Sequence, residues 1–234
     1  MEGNVLRILG RANSFNVRKV LWLCEELDIP FTREDWGRGY RTTSDPEFLK
    51  FNPIGLIPAV IDGDAVLRES NAIVRYLATK YGPEEICPRD PVRRAHVEQW
   101  MDWANYETSI SLRGAFLGGM LNEPPWNNPW VVEQGRQQIT KEVGQLEDHL
   151  IRAGPYICGG SFTVADIPIG MVVNRWFNLD FERPLYAACL PITIVWARGR
   201  PIGATSATVF HRASRCRRRS RCARFLEQTL HNLS

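Results

Sequence analysis

No two of the six cysteines form a Cys-x-x-Cys pair, which removes the usual spacing of a redox dithiol or a zinc site. Cys24, Cys87, Cys158, Cys189, Cys216 and Cys222 follow no pairing pattern either, so structural or incidental thiols in a reducing compartment are expected. No metal site is expected. No apolar run approaches the ~18 residues that a membrane helix needs, and Met1-Glu2-Gly3-Asn4 lacks a charged, then apolar, leader. A soluble cytoplasmic protein with no membrane partner is the expectation. Lysine is missing from residues 187–234, where nine Arg meet a single Glu, whereas residues 1–186 hold 20 Lys and Arg against 25 Asp and Glu. The net charge of +3 therefore comes entirely from the tail.

What is present points to two modest domains. With 234 residues and 44% apolar composition, the chain can bury a full core. Val5 to Leu9 alternates like a strand, and Val17, Val20, Leu21, Cys24 and Leu27 then recur at helical spacing. Phe31 to Glu34 reads as a strand, Asp45 to Phe51 as a short helix, Ala59 to Ile61 and Ala65 to Leu67 as a hairpin, and Ser70 to Tyr81 as a helix. This β-α-β-α-β-β-α order is that of a thioredoxin-like domain over residues 1–82. Gly82-Pro83 stops it, and Cys87-Pro88-Arg89-Asp90-Pro91 supplies a proline-punctuated linker. An all-α domain over 90–186 follows, with a long helix over 92–121 and a second carrying Ile139, Val143, Leu146 and Leu150 on one face. Thr163-Val164-Ala165-Asp166 has the form of a capping box with Asp in place of Glu.

Two loci carry chemistry. In Asn52-Pro53-Ile54-Gly55-Leu56-Ile57-Pro58-Ala59-Val60, Pro58 opens a strand at the position where a missing N–H does least harm. The preceding Ile57 is held extended, with its own N–H and C=O available to an outside strand, all the more so if the Ile57-Pro58 bond is cis. About ten residues on, Glu69-Ser70 stands at a helix N-terminus, where free N–H groups and the dipole attract a carboxylate. At the second locus, Gly10-Arg11-Ala12-Asn13-Ser14-Phe15-Asn16-Val17 joins the first strand to the first helix. A hydroxyl there, beside a helix N-terminus, could lower a thiol pKa, and each unit requires about 1.4 kcal/mol. Ser14 is the first choice, with Asn13 and Asn16 as alternatives. Ser14 or Asn16 as a plain helix cap is the competing reading. Cys24, on the apolar helical face, is expected to be inert.

The order Asn-Pro-x-Gly-x-Ile-Pro, turn, Glu-Ser-Asn-Ala-Ile resembles the glutathione-binding half of the cytosolic glutathione S-transferases, and the likeness extends over roughly the first 180 residues. The spacing of Ser14 from Ile29-Pro30-Phe31 is similar to that of bacterial, serine-type members of theta or beta character. The resemblance implies that Ile57, before Pro58, pairs with the cysteinyl backbone of glutathione, that Glu69 and Ser70 hold its γ-glutamyl end, and that Ser14 stabilises the thiolate. Asn16 joins this set. Several members carry Lys or Gln where this chain has Leu56, to meet the glycyl carboxylate. That role passes here to Arg38, Arg41 or Asn52. An acceptor would lie between the two domains against Phe15, Tyr106, Phe116 and Trp176.

Members of that family end in a helix with a pattern like Tyr-Tyr-x-Arg-Leu-x-x-Arg-Pro-Ala-Tyr. This chain runs Pro191-Ile192-Thr193-Ile194-Val195-Trp196-Ala197-Arg198-Gly199-Arg200-Pro201-Ile202 instead. Joining the last base of each codon to the first two of the next permits Asp-Tyr-Tyr-Arg-Leu-Gly-x-Arg-Pro-Ala-Tyr. A frameshift near Arg183 to Pro191 is therefore expected, with 187–234 an out-of-frame basic tail. A nucleic-acid arm is the rival reading, but the Arg215 to Cys222 run has no interleaved aromatics and no recognition motif. No nucleic-acid partner is expected.

The resemblance implies a homodimeric detoxification enzyme that adds the thiolate of glutathione, its substrate, to a hydrophobic electrophile. The alternatives are a binding or interaction protein of the same fold with little catalysis, and a glutathione-dependent isomerase or dehalogenase.

Overall fold

A strand that must pair on both edges and pack on both faces reads as nearly continuous apolar sequence, and Leu6-Arg7-Ile8-Leu9 does so. In the computed structural model of the protein, which describes residues 5–190, this segment is β1 (Leu6–Leu9), the second strand of a four-stranded sheet. Its parallel neighbour β2 (Phe31–Glu34) sets Leu6 opposite Phe31. On its other side β3 (Ala59–Asp62) runs antiparallel, with Ile8 opposite Val60, and β4 (Ala65–Arg68) closes the hairpin, giving the order β2-β1-β3-β4. The right-handed crossover expected of a parallel pair is made by α1 (Phe15–Glu26), whose Val17, Val20, Leu21, Leu23 and Cys24 are buried. The other face of the sheet is covered by α2 (Pro46–Leu49), which seats Phe48 beside Leu9, Trp36 and Ala59. The sheet unit ends with α3 (Ser70–Tyr81).

The helical unit begins at α4 (Pro91–Leu112), where Pro91 takes the first helical position and the Asp90 carboxylate accepts the Arg93 N–H at 2.9 Å. The single helix expected over 92–121 is not what forms. After Leu112 the chain widens into a π-helical turn, Arg113–Gly118, with Gly119 N–H donating to the Gly114 carbonyl. The reason lies in the glycines. A Cβ on Gly114 would stand 2.3 Å from the Val131 carbonyl oxygen, and one on Gly135 would stand 2.6 Å from the Ala115 nitrogen, so this turn meets α5 (Pro129–Ala153) backbone to backbone.

The predicted apolar row Ile139, Val143, Leu146 and Leu150 is buried along α5. The last helix among the described residues, α6 (Asp166–Phe177), is apolar on almost every side and packs against α1 and α4. Its Asp166 accepts N–H bonds from Thr163 and Ile157, both at 2.8 Å, and the Thr163 hydroxyl at 3.1 Å. Only the carboxylate half of the expected capping box forms, because the Thr163 hydroxyl donates to Asp166 instead of accepting from the helix. Beyond α6, Tyr186 stacks on Trp176, and the N–H groups of Ala188 and Cys189 donate to the Glu147 carboxylate at 2.9 Å each. The expected out-of-frame segment lies, from residue 191 onward, outside the described residues, as do Cys216 and Cys222.

Among the described residues Cys24, Cys87, Cys158 and Cys189 are all free thiols, and no helix is long and apolar enough to cross a membrane. Burial pushes the Cys24 thiol up to about 12, so it is protonated and inert at neutral pH.

Candidate functional site

The turn from β1 into α1 is built on Gly10. Its φ of 149° lies where side chains are strained, and a Cβ there would fall 2.5 Å from Val17 Cγ2 and 3.2 Å from the Ile57 Cβ. The absent side chain lets three segments meet: the β1–α1 loop, the start of α1, and the loop before β3. Ser14 is the N-cap of α1, extended at φ −76° and ψ 133° and 8% exposed, yet its side chain makes no cap bond. Its hydroxyl has no hydrogen-bond partner among the described residues. A helix cap that leaves its hydroxyl unused beside free N–H groups is placed for a ligand.

Next to Gly10, the Ile57-Pro58 bond is cis, and neither the N–H nor the C=O of Ile57 bonds to a described residue. The loop behind Ile57 is shaped by Asn52. Its side chain is buried, donates to the Leu56 carbonyl at 2.6 Å and accepts the Ile54 N–H at 3.1 Å. The structure thus turns Asn52 inward onto its own loop.

Glu69 has φ 65° and ψ 109°, a conformation that costs a residue with a Cβ about 1–3 kcal/mol. It persists because the Glu69 carbonyl accepts the Ile73 N–H at the head of α3 while the residue before it completes β4. The carboxylate is left exposed beside Ser70. Ser70 donates to the Asn16 amide oxygen at 3.3 Å, which joins the heads of α1 and α3.

Two further expected anchors are already engaged. Arg38 pairs with Glu123 at 2.5 Å, bridging to the loop after the π turn. Arg41 pairs with Glu47 at 2.5 Å and lies over the Trp36 ring at 3.8 Å.

Of the four aromatics expected around an acceptor, the structure brings two together. Phe15 and Phe116 both face the guanidinium of Arg175, at 5.5 and 3.5 Å from their centroids. Trp176 does not join them. It is fully buried, stacked on Tyr186 and edge-on to Phe181, because α6 turns that side into the core. Tyr106 stands on the outer face of α4 with 74% of its surface exposed and no ring contact.

Three charged residues escaped the sequence reading. Lys19, 1% exposed, reaches Ser70 and Asn71 from the inner side of α1, and burial lowers its pKa to about 8, against the raising effect of Glu69. Arg11 has a buried Nε without a partner. Arg175 is the third. Each is a single charge on an otherwise apolar helix face or in a short loop, and that isolation is the signal that could have found them. Among the described residues no cluster of His, Cys, Asp and Glu could hold a metal ion.

Residues 9–85 match the sequence model of the glutathione S-transferase N-terminal domain. The chain is 36% identical over 177 residues to glutathione S-transferase GstB of Escherichia coli (strain K12), covering 75% of this chain and 85% of that relative. Among solved structures it is similar to the theta class glutathione S-transferase of Xanthomonas axonopodis pv. citri with glutathione bound. That likeness has a TM-score of 0.76 at 34% identity, over 85% of this chain and 94% of the other.

Proposed function

The chain belongs to the glutathione S-transferase family, and on that footing we propose that it binds glutathione on its sheet domain, ionises the thiol beside Ser14 and adds the thiolate to hydrophobic electrophiles. The observation that carries this reading is the Ser14 hydroxyl, which sits at a helix N-terminus and makes no bond within the described chain. A free thiol near pKa 8.5 is only a few per cent ionised at neutral pH. One hydroxyl hydrogen bond to the thiolate, with the N-terminal end of α1, supplies about 1–3 kcal/mol and brings the thiol near neutrality. The proton leaves to solvent.

In this reading the unpaired Ile57 backbone takes the cysteinyl segment, while Glu69 and Ser70 take the γ-glutamyl ammonium and carboxylate. Asn16 and Lys19 hold Ser70 in place. Asn52 acts by shaping the Ile57 loop, and Arg38 and Arg41 would have to leave their present partners to meet the glycyl carboxylate. Phe15 and Phe116 form the acceptor wall. Glutathione enters as a substrate, and no step is routed through a metal. The sheet domain is assigned to residues 1–82 and the helical domain to 90–186.

The proposal extends to a cytoplasmic homodimer with a role in detoxification. Ile110 and Tyr106, four residues apart on α4 and 62% and 74% exposed, give an apolar strip that a second copy would cover. Retention on immobilised glutathione, combined with conjugation of chlorodinitrobenzene, tests the reading. Binding with turnover supports the transferase, whereas binding without turnover supports an interaction protein of the same fold.

A further inference from the structure

Six of the described arginines are paired. Arg7, Arg33, Arg38, Arg41, Arg75 and Arg94 each meet a carboxylate. Arg175 has no such pair among the described residues, although it is mostly buried in the wall between the two domains. Its guanidinium carbon lies 3.5 Å from the centroid of Phe116, on the π-helical turn, and 5.5 Å from that of Phe15, the residue after Ser14. The charges it feels are of its own sign. Burial first, then Arg18 and Arg11, lower its pKa to about 10.

Arg11 repeats the pattern. Its only side-chain hydrogen bond goes to the Asn13 amide oxygen at 2.8 Å, and its Nε is buried without a partner. Arg11, in the loop before α1, and Arg175, on α6, thus carry like charges that act on one another, and no described carboxylate is paired with either. Like charges in a desolvated place are unfavourable unless something opposite occupies the space between them, and a planar guanidinium stacked on a ring keeps its forked N–H donors free to receive an anion. In the proposed reading glutathione is held by Ile57, Glu69 and Ser70, and its glycyl carboxylate by Arg38 or Arg41, so Arg175 is none of its anchors. The group that meets Arg175 must come with the acceptor.

We infer that the acceptor electrophile carries an anionic group, a carboxylate or its equivalent, held by Arg175 while its apolar body lies against Phe15 and Phe116. This inference rests on the transferase reading and narrows the substrate class. For an aryl halide the step balances simply: the thiolate forms a C–S bond at the halogen-bearing carbon, the C–Cl bond breaks, and chloride departs with the electron pair. Arg175 takes no part in bond making. It positions the ring.

The test compares chloronitrobenzoate with chloronitrobenzamide of the same ring substitution, using wild type, Arg175→Leu and Arg175→Lys. Wild type should prefer the benzoate in kcat/KM. Arg175→Leu should lose about ten- to a hundredfold on the benzoate, chiefly in KM, and little on the benzamide, while Arg175→Lys recovers part of the loss. Affinity for S-methylglutathione, read by calorimetry, should be the same in all three. Turnover of both compounds without preference in wild type, or an equal loss on both in the variants, would overturn the inference and leave the transferase standing. Absence of conjugation with either compound in a wild type that conjugates chlorodinitrobenzene would overturn the inference alone, whereas absence with all three would overturn the transferase reading and the inference with it.

Discussion

Lys19 Nζ on α1 stands 3.5 Å from the Ser70 hydroxyl and 3.2 Å from the Asn71 amide oxygen on α3, so an almost fully buried ammonium lies behind the residues at the head of that helix. Asn71 in turn donates to the Met101 carbonyl of α4 at 2.9 Å. The lysine thereby ties α1 to the head of α3, and Asn71 carries the link on to the first helix of the second domain.

Its titration gives a pH prediction. Burial disfavours the ammonium, so the folded pKa is about 8 against an ordinary lysine value of 10.5. Between these values the unfolded chain binds more protons than the folded one, and the stability contributed by Lys19 rises with pH. Relative to Lys19→Met, wild type should gain about 2 kcal/mol from roughly pH 8 to pH 10, read as urea midpoints. Parallel curves would mean that Lys19 is not desolvated.

Glu69→Ala and Ser70→Ala should weaken S-methylglutathione binding by about 1–3 kcal/mol each, since each removes a charge-assisted contact to the γ-glutamyl group. Neither touches the sulfur. Turnover at saturating glutathione should change little, and full affinity in both variants by calorimetry would remove this anchor.

The tail account makes its own prediction. The change of frame is placed near Arg183 to Pro191, so the residues from 191 onward are the ones to remove. Deleting 191–234 should leave stability within about 0.5 kcal/mol, while restoring the shifted frame should raise the melting temperature by adding a helix with apolar residues to bury. Resequencing of the gene is the direct check. A deletion that unfolds the protein would contradict the account.

The sheet domain was legible because its punctuation is local. Pro58 starts a strand, Asp62-Gly63-Asp64 makes a hairpin, and the apolar row on α1 keeps a helical period, as the row on α5 does in the helical domain. What the sequence concealed depends on which face tertiary packing chooses. Tyr106 and Trp176 both sit in helical patterns, yet one points outward and the other into the core. Lys19 and Arg175 went unread because only the fold closes α3, the π turn and Phe15 over them. The π turn itself follows from a backbone approach of Gly114 to Val131, a contact between distant segments that no local window contains.

Ser14→Ala should lower kcat by about ten- to a thousandfold with little change in glutathione affinity, because the lost hydrogen bond acts on the thiolate. Unchanged turnover would move the role to Asn13 or Asn16.

The most direct measurement is the pKa of the bound thiol itself, followed through the ultraviolet absorbance of the thiolate in the binary complex. In wild type it should lie about one to two units below that of free glutathione, and in Ser14→Ala it should return most of the way to the free value. A bound thiol that titrates at the same pH in both proteins would show that Ser14 does not ionise it, and the central claim would fall.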